Sequence, residues 1–181
     1  MMKGIGKAIG AAVLAGCLLT ACNISPAYYK YQSVRGLAWQ RTDTLHFEVS
    51  LPDTGRADLA VWLEIRHRGD YPYRNLSVRM ARQTWTTLPP DTVCQTDTLR
   101  LTLADTEGRW TGEGLANIFQ CTFEAGKIHT TTPAVLHFDI TPALPDSLLK
   151  GISDIGIRLE HISASDAPAP HQSAETQKAE S

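Results

Sequence analysis

The chain has 181 residues, 43% of them hydrophobic, with 17 Lys and Arg against 19 Asp and Glu and a formal net charge of −2. That length supports one domain with its own core and little more. The near balance of charge, without a basic run, argues against nucleic acid as a partner and leaves no polybasic segment to hold an anionic leaflet.

In chain order, residues 1–21 read first as a lipoprotein signal peptide. Lys3 and Lys7 give a positive start, an apolar stretch occupies 8–19, and Leu19-Thr20-Ala21 leads into Cys22. A stretch of about 12 apolar residues is too short to span a bilayer as a helix, which needs roughly 20. A branched apolar residue, two small residues and a cysteine form the pattern of a processing site that precedes a lipid-modified thiol. Leu14-Ala15-Gly16-Cys17 matches the same pattern and is the alternative. Its apolar run, 8–15, lies at the short end of a signal core, whereas the run before Cys22 lies well inside the usual range. Cleavage before Cys22 removes Lys3 and Lys7 and no acid, which moves the net charge from −2 to −4. The membrane is then a partner through acyl chains, each buried methylene contributing about 0.8 kcal/mol.

Residues 22–38 read as a tether carrying Tyr28, Tyr29 and Tyr31, and 39–162 as the folded domain. Within the domain the apolar period is almost everywhere two. Leu45, Phe47, Val49 and Leu51 alternate with polar residues, as do Leu59, Val61, Leu63 and Ile65. The same holds for Leu76, Val78 and Met80, for Leu99, Leu101 and Leu103, for Leu136, Phe138 and Ile140, and for Ile155, Ile157 and Leu159. Such alternation marks half-buried strands with one wet face. Turn residues separate them at Pro52-Asp53-Thr54-Gly55, Gly69-Asp70, Pro89-Pro90-Asp91 and Asp105-Thr106-Glu107-Gly108. Six to eight short strands predict an all-β, antiparallel β-sandwich. At most a turn or two of helix is expected, over 114–118. Residues 163–181 hold Asp166-Ala167-Pro168-Ala169-Pro170 and then small and polar residues, the composition of a disordered tail.

Chemistry-bearing patterns are few. With Cys22 acylated, Cys94 and Cys121 are the pair left, a candidate disulfide outside the cytoplasm that would close a loop of 26 intervening residues. His46 and His137 fall on the polar parity of their strands, His67 ends a strand, His129 reads as a loop residue, His161 follows the last strand and His171 is in the tail. No helix-borne metal spacing, nucleophile elbow or phosphate-binding glycine loop is present, so the chain is read as no enzyme, with no cofactor and no metal. Arg68-Gly69-Asp70 is ordinary turn chemistry. Trp39, Trp62, Trp85 and Trp110 are spread along the domain. Trp62, on a polar parity, suits a core or cap role, and alternatively a stacking surface of a glycan-binding lipoprotein in a polysaccharide-uptake system.

The order of residues resembles one known family. Trp39 precedes Asp43-Thr44-Leu45 and Phe47; then come Arg66-His67, Gly69-Asp70-Tyr71-Pro72-Tyr73 and Asn75-Leu76. Further on are Asp97-Thr98-Leu99, Leu103-Ala104-Asp105, then Gly108, Trp110, Gly112 and Gly114, and finally Gly151, Ile152 and Asp154-Ile155-Gly156-Ile157-Arg158-Leu159-Glu160. Together these residues resemble the gliding-motility lipoprotein family GldH of Bacteroidota. The resemblance implies a non-catalytic envelope lipoprotein that acts by binding protein partners, other motility lipoproteins among them, with the tyrosine-rich tether close behind a lipidated Cys22. It implies no catalytic residue and names no small-molecule ligand. Tyr71, Pro72, Tyr73 and Asn75 form a candidate interaction surface, with an inward structural plug as the other use of the two tyrosines. Asp43-Thr44-Leu45, Asp91-Thr92-Val93, Asp97-Thr98-Leu99 and Asp146-Ser147-Leu148 resemble the O-glycosylation motif of the same bacteria, which makes Thr44, Thr92, Thr98 and Ser147 candidate sites. The absence of an acid between Cys22 and Asp43 is unlike surface-exported lipoproteins of that group and points to the periplasmic face of the outer membrane.

Overall fold

The alternating segments build two antiparallel sheets laid face to face. The computed structural model describes residues 26–51, 57–87, 90–131, 133–143 and 147–162. Within them the strands are β1 (Tyr28–Ser33), β2 (Ala38–Gln40), β3 (Leu45–Leu51), β4 (Ala57–Arg68), β5 (Asn75–Thr87), β6 (Pro90–Thr102), β7 (Glu113–Leu115), β8 (Ile118–Thr130), β9 (Ala134–Pro142), β10 (Leu148–Lys150) and β11 (Ile152–His161). One sheet has the order β1-β11-β4-β8-β7, the other β3-β9-β5-β6, and β2 pairs with β10 as a short ribbon. The fold is an all-β sandwich, as the period-two pattern predicts.

Register explains the core. Ile65, Leu63 and Val61 of β4 stand opposite Ile155, Ile157 and Leu159 of β11. On the facing sheet, Phe47 and Val49 stand opposite Phe138 and Leu136, and Met80 opposite Ile140. All of these are buried. Each fully buried aliphatic or aromatic side chain contributes roughly 1.5–3 kcal/mol, and side chains from two inner faces interdigitate where the register turns each strand's apolar parity inward.

The strands run between two ends. At the near end lie residue 26 and the start of β1, the finish of β3 and start of β4, the finish of β5 and start of β6, and the finish of β11. At the far end lie the β4–β5 connection, the β7–β8 turn and the β2–β10 ribbon, where Trp39 and Leu149 are buried over the core. Trp39 donates Nε1–H to the Asp43 carbonyl at 3.1 Å.

Four elements differ from the sequence expectation. Residues 28–33 of the segment read as a tether form an edge strand, bonded along β11 from Tyr28 opposite Leu159 to Ser33 opposite Asp154. Residues 113–118 are a hairpin and not a helical turn: Ala116 (φ 49°) and Asn117 (φ 69°) both adopt the left-handed region between β7 and β8, as a two-residue hairpin turn requires. β8 itself is a long interior strand that the alternation does not reveal. Its buried positions run Cys121, Ala125, Ile128 and Thr130, because the ladder with β4 slips between Val61 and Trp62. Gly126, opposite Val61 at φ 124°, sits at that bulge and flips the parity downstream. Pro90, read as a turn residue, opens edge strand β6, a position where its missing N–H costs no ladder bond.

Candidate functional site

At the far end β4 finishes at Arg68, and Gly69 lets the chain turn beneath the β7–β8 hairpin. A Cβ on Gly69 would lie 2.2 Å from Asn117 Oδ1. Arg68 Nε meets Asp70 Oδ1 at 3.1 Å, so the Arg-Gly-Asp tripeptide is a turn whose two charges pair with each other. The turn drives Tyr71 inward, where it is 3% exposed and donates its hydroxyl to the Asn75 carbonyl at 3.2 Å. Its ring joins His67, Trp110 and Phe119. His67 lies 4.5 Å from Trp110, edge on, and 5.7 Å from Phe119, nearly parallel. His67 is fully buried, and burial depresses its pKa below the ordinary imidazole value. Its Nδ1–H donates to the Arg68 carbonyl at 2.9 Å, while Nε2 is buried without a partner among the described residues. The imidazole therefore serves as a neutral aromatic in the plug. Of the four residues named as an interaction surface, Tyr71 is the plug, while Pro72, Tyr73 and Asn75 are exposed.

The glycine-tryptophan segment completes this end. Asp105 accepts the backbone N–H of Glu107 and of Arg109 at 2.9 Å each and Arg109 Nε at 2.8 Å. These bonds and Gly108 (φ 81°) close a tight turn that delivers Trp110 onto His67. A Cβ on Gly112 would lie 2.4 Å from the Gln120 carbonyl, and one on Gly114 2.6 Å from the Phe119 ring. The spacing of the glycines thus lets two backbones and a ring approach within contact. What this support presents is a hairpin tip with Leu115 85% exposed and Ile118 44% exposed. Beside the tip is a groove of about 460 Å³ lined by Arg66, Glu113, Leu115, Ile118, Gln120 and Asp154.

The groove runs into a second constellation on the outward face of the five-stranded sheet. Glu64 sits on the polar parity of β4, yet it is only 2% exposed. Arg158 donates Nε–H to Oε1 at 2.6 Å. Tyr29 donates its hydroxyl to Oε2 at 3.1 Å and Gln120 its amide at 3.3 Å, and Tyr31 bonds the same oxygen. Burial, with the hydrogen bond to Glu64, raises the Tyr31 pKa well above the ordinary phenol value. Arg66 lies 3.8 Å over the Tyr31 ring and donates Nε–H to Gln120 at 3.0 Å, joining the cluster to the groove. Trp62 lies under Arg158, 5.4 Å from ring to guanidinium. It is therefore no open stacking platform. Sequence reasoning missed Glu64 because its parity reads as solvent-facing, and missed Leu115 and Ile118 because the hairpin read as helix.

Other residues singled out in the sequence are scattered. Cys94 is exposed on β6 and Cys121 buried on β8 of the other sheet, both as free thiols. The candidate disulfide is not formed in this structure, where Cys94 is exposed and Cys121 buried. Burial raises the Cys121 pKa. Thr92, Thr98 and Ser147 are exposed and Thr44 is half-buried. Thr92 and Thr98 lie inside β6 and not at strand entries. His129, read as a loop residue, is in β8 and pairs with Asp58. His46 pairs with Asp139 at 2.6 Å. Among the described residues no group of three or more His, Cys, Asp or Glu could hold a metal ion. Cys17, Cys22, His171 and Asp146 lie outside the described residues.

Comparison with known proteins adds one firm result. Residues 26–159 match the model of the GldH lipoprotein family. No curated protein matches the chain. A solved structure from the infectious bursal disease virus Gt strain aligns at 10% identity and a TM-score of 0.13, over 76% of this chain and 43% of that one. This chain spans less than half of that viral chain, and so faint a likeness carries no argument.

Proposed function

This chain belongs to the GldH lipoprotein family, and on that footing we propose that it is a non-catalytic, lipid-anchored envelope protein of the gliding-motility type. It works by holding protein partners of the motility-associated machinery. Cys22 carries the acyl chains, and the domain faces the periplasm from the outer membrane. The observation that carries this reading is a convergence. Tyr71 and Asn75 from one family-like segment, and Gly108, Trp110, Gly112 and Gly114 from the other, meet at the far end and together support an exposed leucine tip. Rigid aromatic backing beneath an exposed apolar side chain is what a protein-binding anchor needs.

Affinity purification of the native lipoprotein in mild detergent tests the proposal. Recovery of envelope motility or secretion components with the wild type, and their loss with Leu115→Asp/Ile118→Asp at unchanged thermal stability, is the expected result. Equal recovery with both proteins, or no envelope protein with either, contradicts it. The orientation has its own assay: protease added to intact cells leaves the protein whole if it faces the periplasm and degrades it if it faces outward.

A further inference from the structure

We propose that the finish of β5, through Trp85, is a second membrane contact, so that the near end of the sandwich rests on the lipid surface. The inference depends on the anchor at Cys22 proposed above. It begins from chain length. Six Cα steps separate Cys22 from Tyr28, a reach of at most about 20 Å. β5, β6 and β8 are each 13 residues long, so the sandwich extends about 43 Å along its strands. β1 starts opposite Leu159, close to the near end. With the strands upright on the bilayer, a tether of that reach cannot put the far end against it. It holds the near end within about 10 Å of it, since the start of β1 lies roughly three residues inside the rim.

The exposed apolar side chains sort in the same way. Tyr73, Leu115, Ile118 and Leu148 belong to the far end, and Tyr29, Trp85 and Val93 to the half nearer residue 26. Trp85 is 44% exposed on the outward face of β5, two residues from the end of that strand, and Val93 is 56% exposed on β6. Cross-strand register places them as neighbours, with Trp85 opposite Thr92 and Thr84 opposite Val93, so the hairpin carries one apolar group on each of its faces. The indole is held 4.3 Å from the His137 ring, which fixes its direction. An indole is suited to the headgroup region, with an apolar body and a polar N–H. Over the described residues 84–93 the hairpin has a single charge, Asp91, among threonines. Contact of this kind is apolar, and it should be insensitive to salt and to the fraction of anionic lipid.

The full-length lipidated protein, reconstituted in phosphatidylethanolamine–phosphatidylglycerol vesicles that contain nitroxide-labelled lipid, provides the test. A fluorophore is placed at Thr92→Cys or at Leu115→Cys, each in a Cys94→Ser background. Quenching several-fold stronger at 92 than at 115, unchanged by added salt and reduced by Trp85→Ser in protein that still floats with the vesicles, is expected. Equal quenching at the two positions in floating protein overturns the proposal and leaves the anchor standing, as does quenching at 92 that ignores Trp85. Trp85-dependent capture of a soluble polysaccharide without preferential quenching also overturns it. Failure of the wild type to float, with no acyl mass on Cys22, removes the anchor and this contact together.

Discussion

The ring of Tyr31 lies directly over Gly156, so that a Cβ at 156 would come within 2.7 Å of Tyr31 Cε1. Glycine is required here for space, because only a bare Cα lets the phenol cross β11 and reach Glu64 on β4. Gly156→Val should therefore displace Tyr31 and loosen β1 at a cost of about 1–3 kcal/mol, the usual range for overpacking. In hydrogen exchange, amides of β1 should lose protection while those of β4 and β9 keep theirs. Retained protection in β1 would show that the strand does not depend on this crossing.

Glu64 and Arg158 form a pair whose carboxylate is 3% exposed and whose guanidinium is 22% exposed. Arg158→Leu strands a buried carboxylate and should destabilise the domain by about 3 kcal/mol, whereas removing both charges in Glu64→Leu/Arg158→Leu should cost distinctly less. A double-mutant cycle by denaturant unfolding measures the difference, and additive losses would mean that the pair is not coupled.

Both ends of the pH scale should weaken the fold. Burial raises the pKa of Tyr31 and Tyr71 above the ordinary 10.0, so the folded state holds their protons more tightly. Their contribution is complete below pH 10 and is lost as pH rises through the higher folded values. Phenolate absorbance should show part of the five tyrosines titrating late, together with loss of near-ultraviolet dichroism. His67 is depressed below 6.5, so its contribution is present above that pH and is lost as pH falls. His67→Phe should flatten the acid limb of the stability profile, and an unchanged slope would clear His67 of any part in it.

Thiol chemistry separates the two cysteines of the domain. Cys94 should react with a maleimide in the native protein, and Cys121 only after denaturation, since it is 5% exposed and burial keeps it protonated. Mass spectrometry of labelled peptides, without reductant, counts them. A Cys94–Cys121 bridge in the native protein would contradict this arrangement.

Much of the fold is legible in the alternation, since β3, β4 and β9 each keep one parity for the core from end to end, and β11 does so from Ile155 to Leu159, past the bulge between Ile152 and Asp154. β8 is not legible, because the bulge at Gly126 moves its buried positions from odd to even numbers midway and erases the period. The candidate site is harder to read than the core. Glu64 has the same letter and parity as a solvent-facing residue, and its burial depends on Tyr29 and Tyr31 arriving from a strand 35 and 33 residues away. Leu115 and Ile118 are exposed only because Ala116 and Asn117 enter the left-handed region, which side chains other than glycine rarely signal. The glycines at 112 and 114 were visible as a motif, but their cause, contact with Gln120 and Phe119, is a property of the folded hairpin.

β1 meets β11 through six consecutive antiparallel partners, and the chain enters it from the near end of the sandwich. Tension applied at that entry and resisted at the Leu115 hairpin runs along the strand axes. The ladder is then loaded in shear: its hydrogen bonds share the force and yield together, where a sideways pull would open them one by one. Tyr31, seated over Gly156 and bonded to Glu64, opposes sliding in the same direction. The edge strand is in this sense a mechanical coupling, built so that a load between the chain's N-terminal side and a partner at the opposite end meets the strongest direction of a β-ladder.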